Sequence, residues 1–96
     1  MPLSPIALPR FLRQYKKLSS KVQHEVQEQI TRILDDPQLG EKKAGDISFM
    51  RVHKFKIKAQ LYLLAYRVDD LEDLLYLYAI DTHENFYRDI KKYLKA

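Results

Sequence analysis

Lys54, Lys56 and Lys58 alternate with Phe55 and Ile57, and His83 and Tyr87 stand one helical turn apart near the end of the chain. On an extended strand, residues i, i+2 and i+4 point the same way about 7 Å apart, so the lysines would form a row able to grip phosphates. Histidine takes or gives a proton near neutral pH. A tyrosine beside it would stack on a base or donate a hydrogen bond. Internal cleavage of RNA asks for such groups: a base for the 2′-hydroxyl proton, an acid for the leaving 5′-oxygen, and cations to balance the phosphorane charge.

Each of these residues also has a plainer use. Lysines alternating along a strand guard an exposed sheet edge against pairing with other chains. A histidine at a helix start has its cation disfavoured by the macrodipole, and Glu84 beside it is stabilising there in any case. Tyr87 packs against a sheet as readily as against a base. His53 alternates with Phe49, Phe55 and Ile57, the pattern of a buried, hydrogen-bonded histidine, and His24 falls on the polar side of its helix. The three histidines are 29 or 30 residues apart, without a His-x-x-x-His pair, so no metal site is expected. Gly40 and Gly45 lack a phosphate-cradling pattern, and the absence of cysteine excludes disulfides and thiolate nucleophiles. No cofactor is expected.

The elements that would position these groups follow from hydrophobic period. Leu8, Phe11, Leu12, Tyr15 and Leu18 recur at helical spacing, with Arg10, Arg13, Lys16 and Lys17 on the other face. This helix is expected to start between Pro5 and Pro9. Ser20-Lys21-Val22-Gln23 has the form of a capping box opening a second helix on Val22, Val26, Ile30, Ile33 and Leu34, ended by Asp36-Pro37. The short Ser19-Ser20 link predicts an antiparallel helical hairpin. After a loop from Gln38 to Gly45 the period becomes 2. Phe49, Arg51, His53, Phe55 and Ile57 are assigned to one face of a strand, and Met50, Val52, Lys54, Lys56 and Lys58 to the other. Tyr62–Val68 and Leu74–Ile80 read as covered strands of a hairpin closed by the acidic Asp69–Asp73 loop. Phe86, Ile90, Tyr93 and Leu94 mark a short terminal helix. The reading is one α+β domain over residues 1–96: a helical hairpin on a three- to four-stranded antiparallel sheet, with a further short strand possible near Ile47.

Composition sets the bounds. Ninety-six residues, 46% hydrophobic with only 2 glycines and 4 prolines, suit one folded core. The net charge of +4 is modest, but its distribution is not even. Glu41–Val68 carries seven basic against two acidic residues, and His83–Ala96 four against two. No stretch reaches transmembrane length and the first residues lack a secretory pattern, so a cytoplasmic protein without a membrane partner is expected.

Lys54-Phe55-Lys56-Ile57-Lys58, then Tyr62-Leu63-Leu64-Ala65-Tyr66-Arg67-Val68, then His83-Glu84-Asn85-Phe86-Tyr87-Arg88-Asp89 resemble the RelE/ParE superfamily of bacterial toxins over nearly the whole chain. The resemblance implies a toxin of a type II toxin–antitoxin system, held inactive by, and oligomerising with, a cognate antitoxin. RelE-like members cut mRNA on the ribosome without a metal; ParE-like members instead poison DNA gyrase. By resemblance Lys54 and Lys56 match the two strand lysines of the nucleases, Lys58 a basic position after them, Tyr87 their C-terminal tyrosine, and His83 a position where a basic residue or histidine is usual. The family's central-strand arginine is Leu63 here, and an arginine ahead of the last helix is Asp81. Arg67, on the same strand face as Leu63, is the candidate replacement. The expected catalytic set is therefore Lys54, Lys56, Arg67, His83 and Tyr87, with Arg51, Lys58, Arg88, Lys91 and Lys92 on the RNA backbone.

Overall fold

A computed structural model describes residues 3–45, 48–86 and 88. Its elements are β1 (Ser4–Ala7), α1 (Pro9–Lys16), α2 (Ser20–Asp35), β2 (Glu41–Lys42), β3 (Arg51–Ile57), β4 (Gln60–Asp69) and β5 (Leu74–Thr82). They form one five-stranded sheet in the order β1-β5-β4-β3-β2, antiparallel except where β1 runs parallel to β5. The α+β architecture and the central β4 agree with the reading of the sequence, while β1 and the two-residue β2 enlarge the sheet beyond it. Ile47 lies outside the described residues.

The N-terminal strand has a local cause. Pro5 and Pro9 each push the preceding residue toward extended backbone, and the outer edge of β5 offers unpaired partners. Ser4–Ala7 therefore pairs with Leu74–Leu77. Pro5 is tolerated because β1 is an edge strand. Leu8 donates its amide to Leu77 O at 3.1 Å, and the helix begins only at Pro9, in its favoured first-turn place.

The second helix is capped by Ser19 rather than Ser20. Ser19 Oγ accepts from the Val22 amide at 3.3 Å. The Gln23 side chain, cast as the return arm of a capping box, instead donates to Tyr15 O at 2.9 Å. Gln27 Nε2 donates to the Tyr15 hydroxyl at 2.6 Å, so Tyr15 ties α1 to α2. The end of α2 falls before Pro37, as the proline dictates.

The sheet separates two clusters. On the helix side Phe11, Val26 and Ile33 pack with Phe55, Leu64, Tyr66, Leu75, Leu77 and Ile80. On the opposite side Met50, Val52, Leu63, Ala65 and Ala79 pack with Phe86, from the first turn of a helix that begins at His83. A β-bulge at Tyr78 reconciles the two: Ala65 pairs with Ala79, but Tyr66 pairs with Leu77. Without it, strict alternation would send Ile80 away from the helices and Ala79 toward them.

Two positions leave the faces assigned to them. Phe49 lies in a turn ahead of β3, and its ring meets Tyr78 edge-on at 5.5 Å. Lys58 is not the third member of a strand row. With Ala59 it makes the two-residue turn between β3 and β4, at φ +56°.

Candidate functional site

Lys54 and Lys56 emerge, exposed, from the face of β3 that carries Val52, opposite the helices. Their spacing of two residues sets them about 7 Å apart. Lys54 pairs with Leu63 on β4, and Leu63 pairs with Asp81 on β5. Lys56 pairs with Leu61, next to Tyr62, whose partner Thr82 directly precedes His83. Two strand spacings of about 4.8 Å thus separate the lysines from the β5 end that delivers His83.

His83 and Glu84 are exposed in the first turn of the last helix. Thr82 Oγ1 accepts from the Asn85 amide at 3.4 Å, in the manner of an N-cap. Phe86 holds this turn against the sheet from its fully buried position. The exposed Arg88 donates to Asn85 Oδ1 at 3.0 Å. Tyr87, Lys91 and Lys92 lie outside the described residues.

The departures from the family pattern have clear surroundings. Leu63 is wholly buried, 0% exposed, in the cluster that seats Phe86. Asp81 Oδ1 accepts from the Thr82 amide at 2.8 Å, and its Oδ2 from Gln14 Nε2 at 3.4 Å. Arg67 does share Leu63's face, but four residues along the strand is about 13 Å. Its guanidinium lies 4.8 Å over the Tyr76 ring.

Arg51 turns the other way. Its Nη1 donates to Gly40 O at 2.8 Å on the helix side, beside its strand partner Tyr66. Tyr66 Oη accepts from the Gly40 amide at 2.8 Å and donates to Pro37 O at 2.7 Å. Burial raises the phenol's pKa above its usual 10, against the Gly40 amide and the Arg51 cation. His53, as its alternation suggested, faces the helices and is hydrogen-bonded: Nε2 lies 2.7 Å from Gln29 Oε1. Burial, with Arg32 nearby, lowers its pKa below 6.5. Among the described residues no group of three acidic or histidine side chains is placed to hold a metal ion.

One basic group escaped the reading of the sequence. Arg10, Arg13 and Lys17, assigned there to an outer helix face, line a cavity of about 410 Å³ with Gln14, Asp81 and Asn85. Their i, i+3, i+7 spacing was the available signal, but only the packing of α1 beside β5 shows that the stripe meets a wall.

The fold is that of solved toxins. The structure superposes on a chain of the RelBE2 toxin–antitoxin complex from Mycobacterium tuberculosis with a TM-score of 0.76, at 18% identity, covering 86% of this chain and 100% of that one. A mutant of Escherichia coli RelE in the free state gives a TM-score of 0.70 at 20% identity, covering 96% and 98%. A RelE mutant bound to a peptide of its antitoxin, also from E. coli, gives 0.68 at 20% identity, covering 94% and 95%. A search of curated protein sequences found no match. The family model for the ParE-like toxin of type II bacterial toxin–antitoxin systems matches residues 6–91, from β1 through the start of the last helix and beyond, and the chain belongs to that family.

Proposed function

We propose that this toxin inhibits translation by cutting mRNA on the ribosome without a metal. The observation that carries the reading is the exposed pair Lys54 and Lys56, on the face of the sheet that also receives the helix start bearing His83. The reaction is internal transfer. The 2′-oxygen attacks phosphorus as its proton leaves to a base, the bond from phosphorus to the 5′-oxygen breaks, and an acid protonates that oxygen. The products are a 2′,3′-cyclic phosphate and a 5′-hydroxyl. Lys54 and Lys56 bind the reacting phosphate and balance its added charge. His83 moves a proton, and Tyr87 positions a base or shares the proton transfer. Arg67, about 13 Å along β4 from Leu63, serves flanking phosphates with Lys58, Arg88, Lys91 and Lys92 rather than the reacting one.

The inhibitor of the toxin is a cognate antitoxin. Solved chains of the same fold come from toxin–antitoxin complexes. The net charge of +4 favours an acidic partner whose apolar, partly helical segment folds onto the toxin in the cytoplasm.

A second reading, inhibition of DNA gyrase without catalysis, is favoured by one specific observation. Both positions where nuclease relatives carry arginine are committed to structure: Leu63 is in the core and Asp81 is hydrogen-bonded. Purified toxin incubated with programmed ribosomes, and in parallel with gyrase, DNA and ATP, separates the two readings. Cleavage leaving cyclic phosphate ends, lost in Lys54→Ala/Lys56→Ala, supports the nuclease. Intact mRNA with blocked gyrase supercoiling would establish the rival.

A further inference from the structure

The cavity between α1 and the end of β5 lies outside the site just described. Among the described residues Arg10, Arg13 and Lys17 supply its cations, and the carboxylate of Asp81 faces them. That carboxylate is committed elsewhere, to the Thr82 amide and the Gln14 side chain. Gln14 is fixed as well, since its Oε1 accepts from the Ile80 amide at 3.0 Å on the edge that β1 leaves uncovered. The walls are therefore held in place before any ligand arrives. Arg10 lines the same wall and is partly buried. Arg13 and Lys17 are exposed and available.

We infer that this cavity is a second phosphate-binding site, which holds the RNA backbone on the far side of β5 from the cleaved bond. The inference rests on the nuclease reading. Position supports it. Asp81, on the cavity wall, is joined through Leu63 to Lys54 by strand pairing, so the cavity begins two strands from Lys54, at the β5 end that delivers His83, and continues that line across the sheet. A strand of RNA gripped by Lys54 and Lys56 and passing His83 runs onto the α1 stripe. Arg10 to Lys17 covers about 10 Å of helix axis, enough for two successive phosphates. The lining favours a polyanion over an apolar side chain, because among the described residues its apolar members are Leu18 and Ile80, and Ile80 is buried. The occupant is the sugar–phosphate backbone, without base preference.

The test uses the full chain and a labelled single-stranded RNA with 2′-O-methyl groups, which cannot be cleaved, in fluorescence anisotropy across a salt series. Arg13→Gln/Lys17→Gln is expected to weaken binding about tenfold. It should also flatten the dependence of log affinity on log salt by about 1.4, from about 0.7 for each lost phosphate contact. The side-chain amide signals of Gln14 and Asn85 should shift as RNA is added to the parent. Unchanged affinity and slope in this variant, with binding still weakened by Lys54→Ala/Lys56→Ala, would overturn the second site and leave the nuclease reading standing. No RNA binding by the parent would overturn the second site, and the ribosome assay above decides the nuclease reading separately. Weakened antitoxin binding with RNA binding intact would assign the cavity to a carboxylate of the partner and likewise overturn the inference. Both altered residues are exposed, and thermal melting checks that the variant is folded.

Discussion

Replacing Tyr66 by phenylalanine removes one oxygen from the middle of the sheet and leaves the ring in place. That oxygen accepts from the Gly40 amide and donates to Pro37 O, so one atom anchors the segment between α2 and β2 to the central strand. Gly40 is buried and Pro37 half-buried, so water replaces the lost partner poorly at the first and only partly at the second. An orphaned buried amide costs about 1–3 kcal/mol, and a half-buried carbonyl about 1. The expected loss is about 2–4 kcal/mol, or a fall in Tm of roughly 10–25 °C for a domain of this size. Urea unfolding measures it in a Lys54→Ala/Lys56→Ala background, whose exposed changes lie on the opposite face and add independently. Gly40→Ala supplies the second arm, since its Cβ would stand 2.7 Å from the Tyr66 hydroxyl and 2.8 Å from a ring carbon. That overlap displaces the ring, at about 1–3 kcal/mol. Because it breaks the same hydrogen bonds, the double variant should fall short of additivity by at least about 0.5 kcal/mol. A cost below about 0.5 kcal/mol for Tyr66→Phe, or strict additivity, would refute the reasoning.

Two further perturbations follow from the same geometry. His53 is lowered in pKa by burial and Arg32, so below pH about 6.5 the unfolded chain binds more protons than the folded one. Stability contributed by neutral His53 is full above that pH and is lost as pH falls toward the folded pKa. Urea midpoints at pH 7 and pH 5.5 should differ more in the parent than in His53→Gln. Lys58 holds φ +56° at the first position of a two-residue hairpin turn, where glycine is preferred. Lys58→Gly should therefore stabilise by up to about 1 kcal/mol in thermal melts, and an unchanged Tm would show that the turn is not strained.

The parts of the fold visible in the sequence were those carried by period. The apolar run of β4 and the proline-terminated α2 could be read directly, because core burial leaves a regular mark on sequence. The breaks in period could not. The bulge at Tyr78 shifts the parity of β5 inside an unbroken apolar stretch, and the four residues of strand β1 carry too short a pattern to be read ahead of a helix start bounded only between Pro5 and Pro9. Of the candidate site, Lys54, Lys56 and His83 were named from local chemistry, and alternation placed Lys54 and Lys56 on one exposed face. Whether Arg67 could reach Leu63's position was a matter of distance along a strand, which composition does not encode. Arg51 looked equally free, yet its charge is turned to the Gly40 carbonyl. The cationic cavity of α1 needed the helix and the end of β5 to meet in space.

The most direct test of the account is inducible expression of the parent in bacteria beside Lys54→Ala/Lys56→Ala and His83→Ala, with growth followed and mRNA 5′ ends mapped. Growth arrest with new 5′-hydroxyl ends inside coding sequences is expected for the parent, and loss of both with the paired lysine substitution while the protein stays folded. Arrest that persists in that variant, or arrest with intact mRNA and blocked supercoiling, would contradict the nuclease reading.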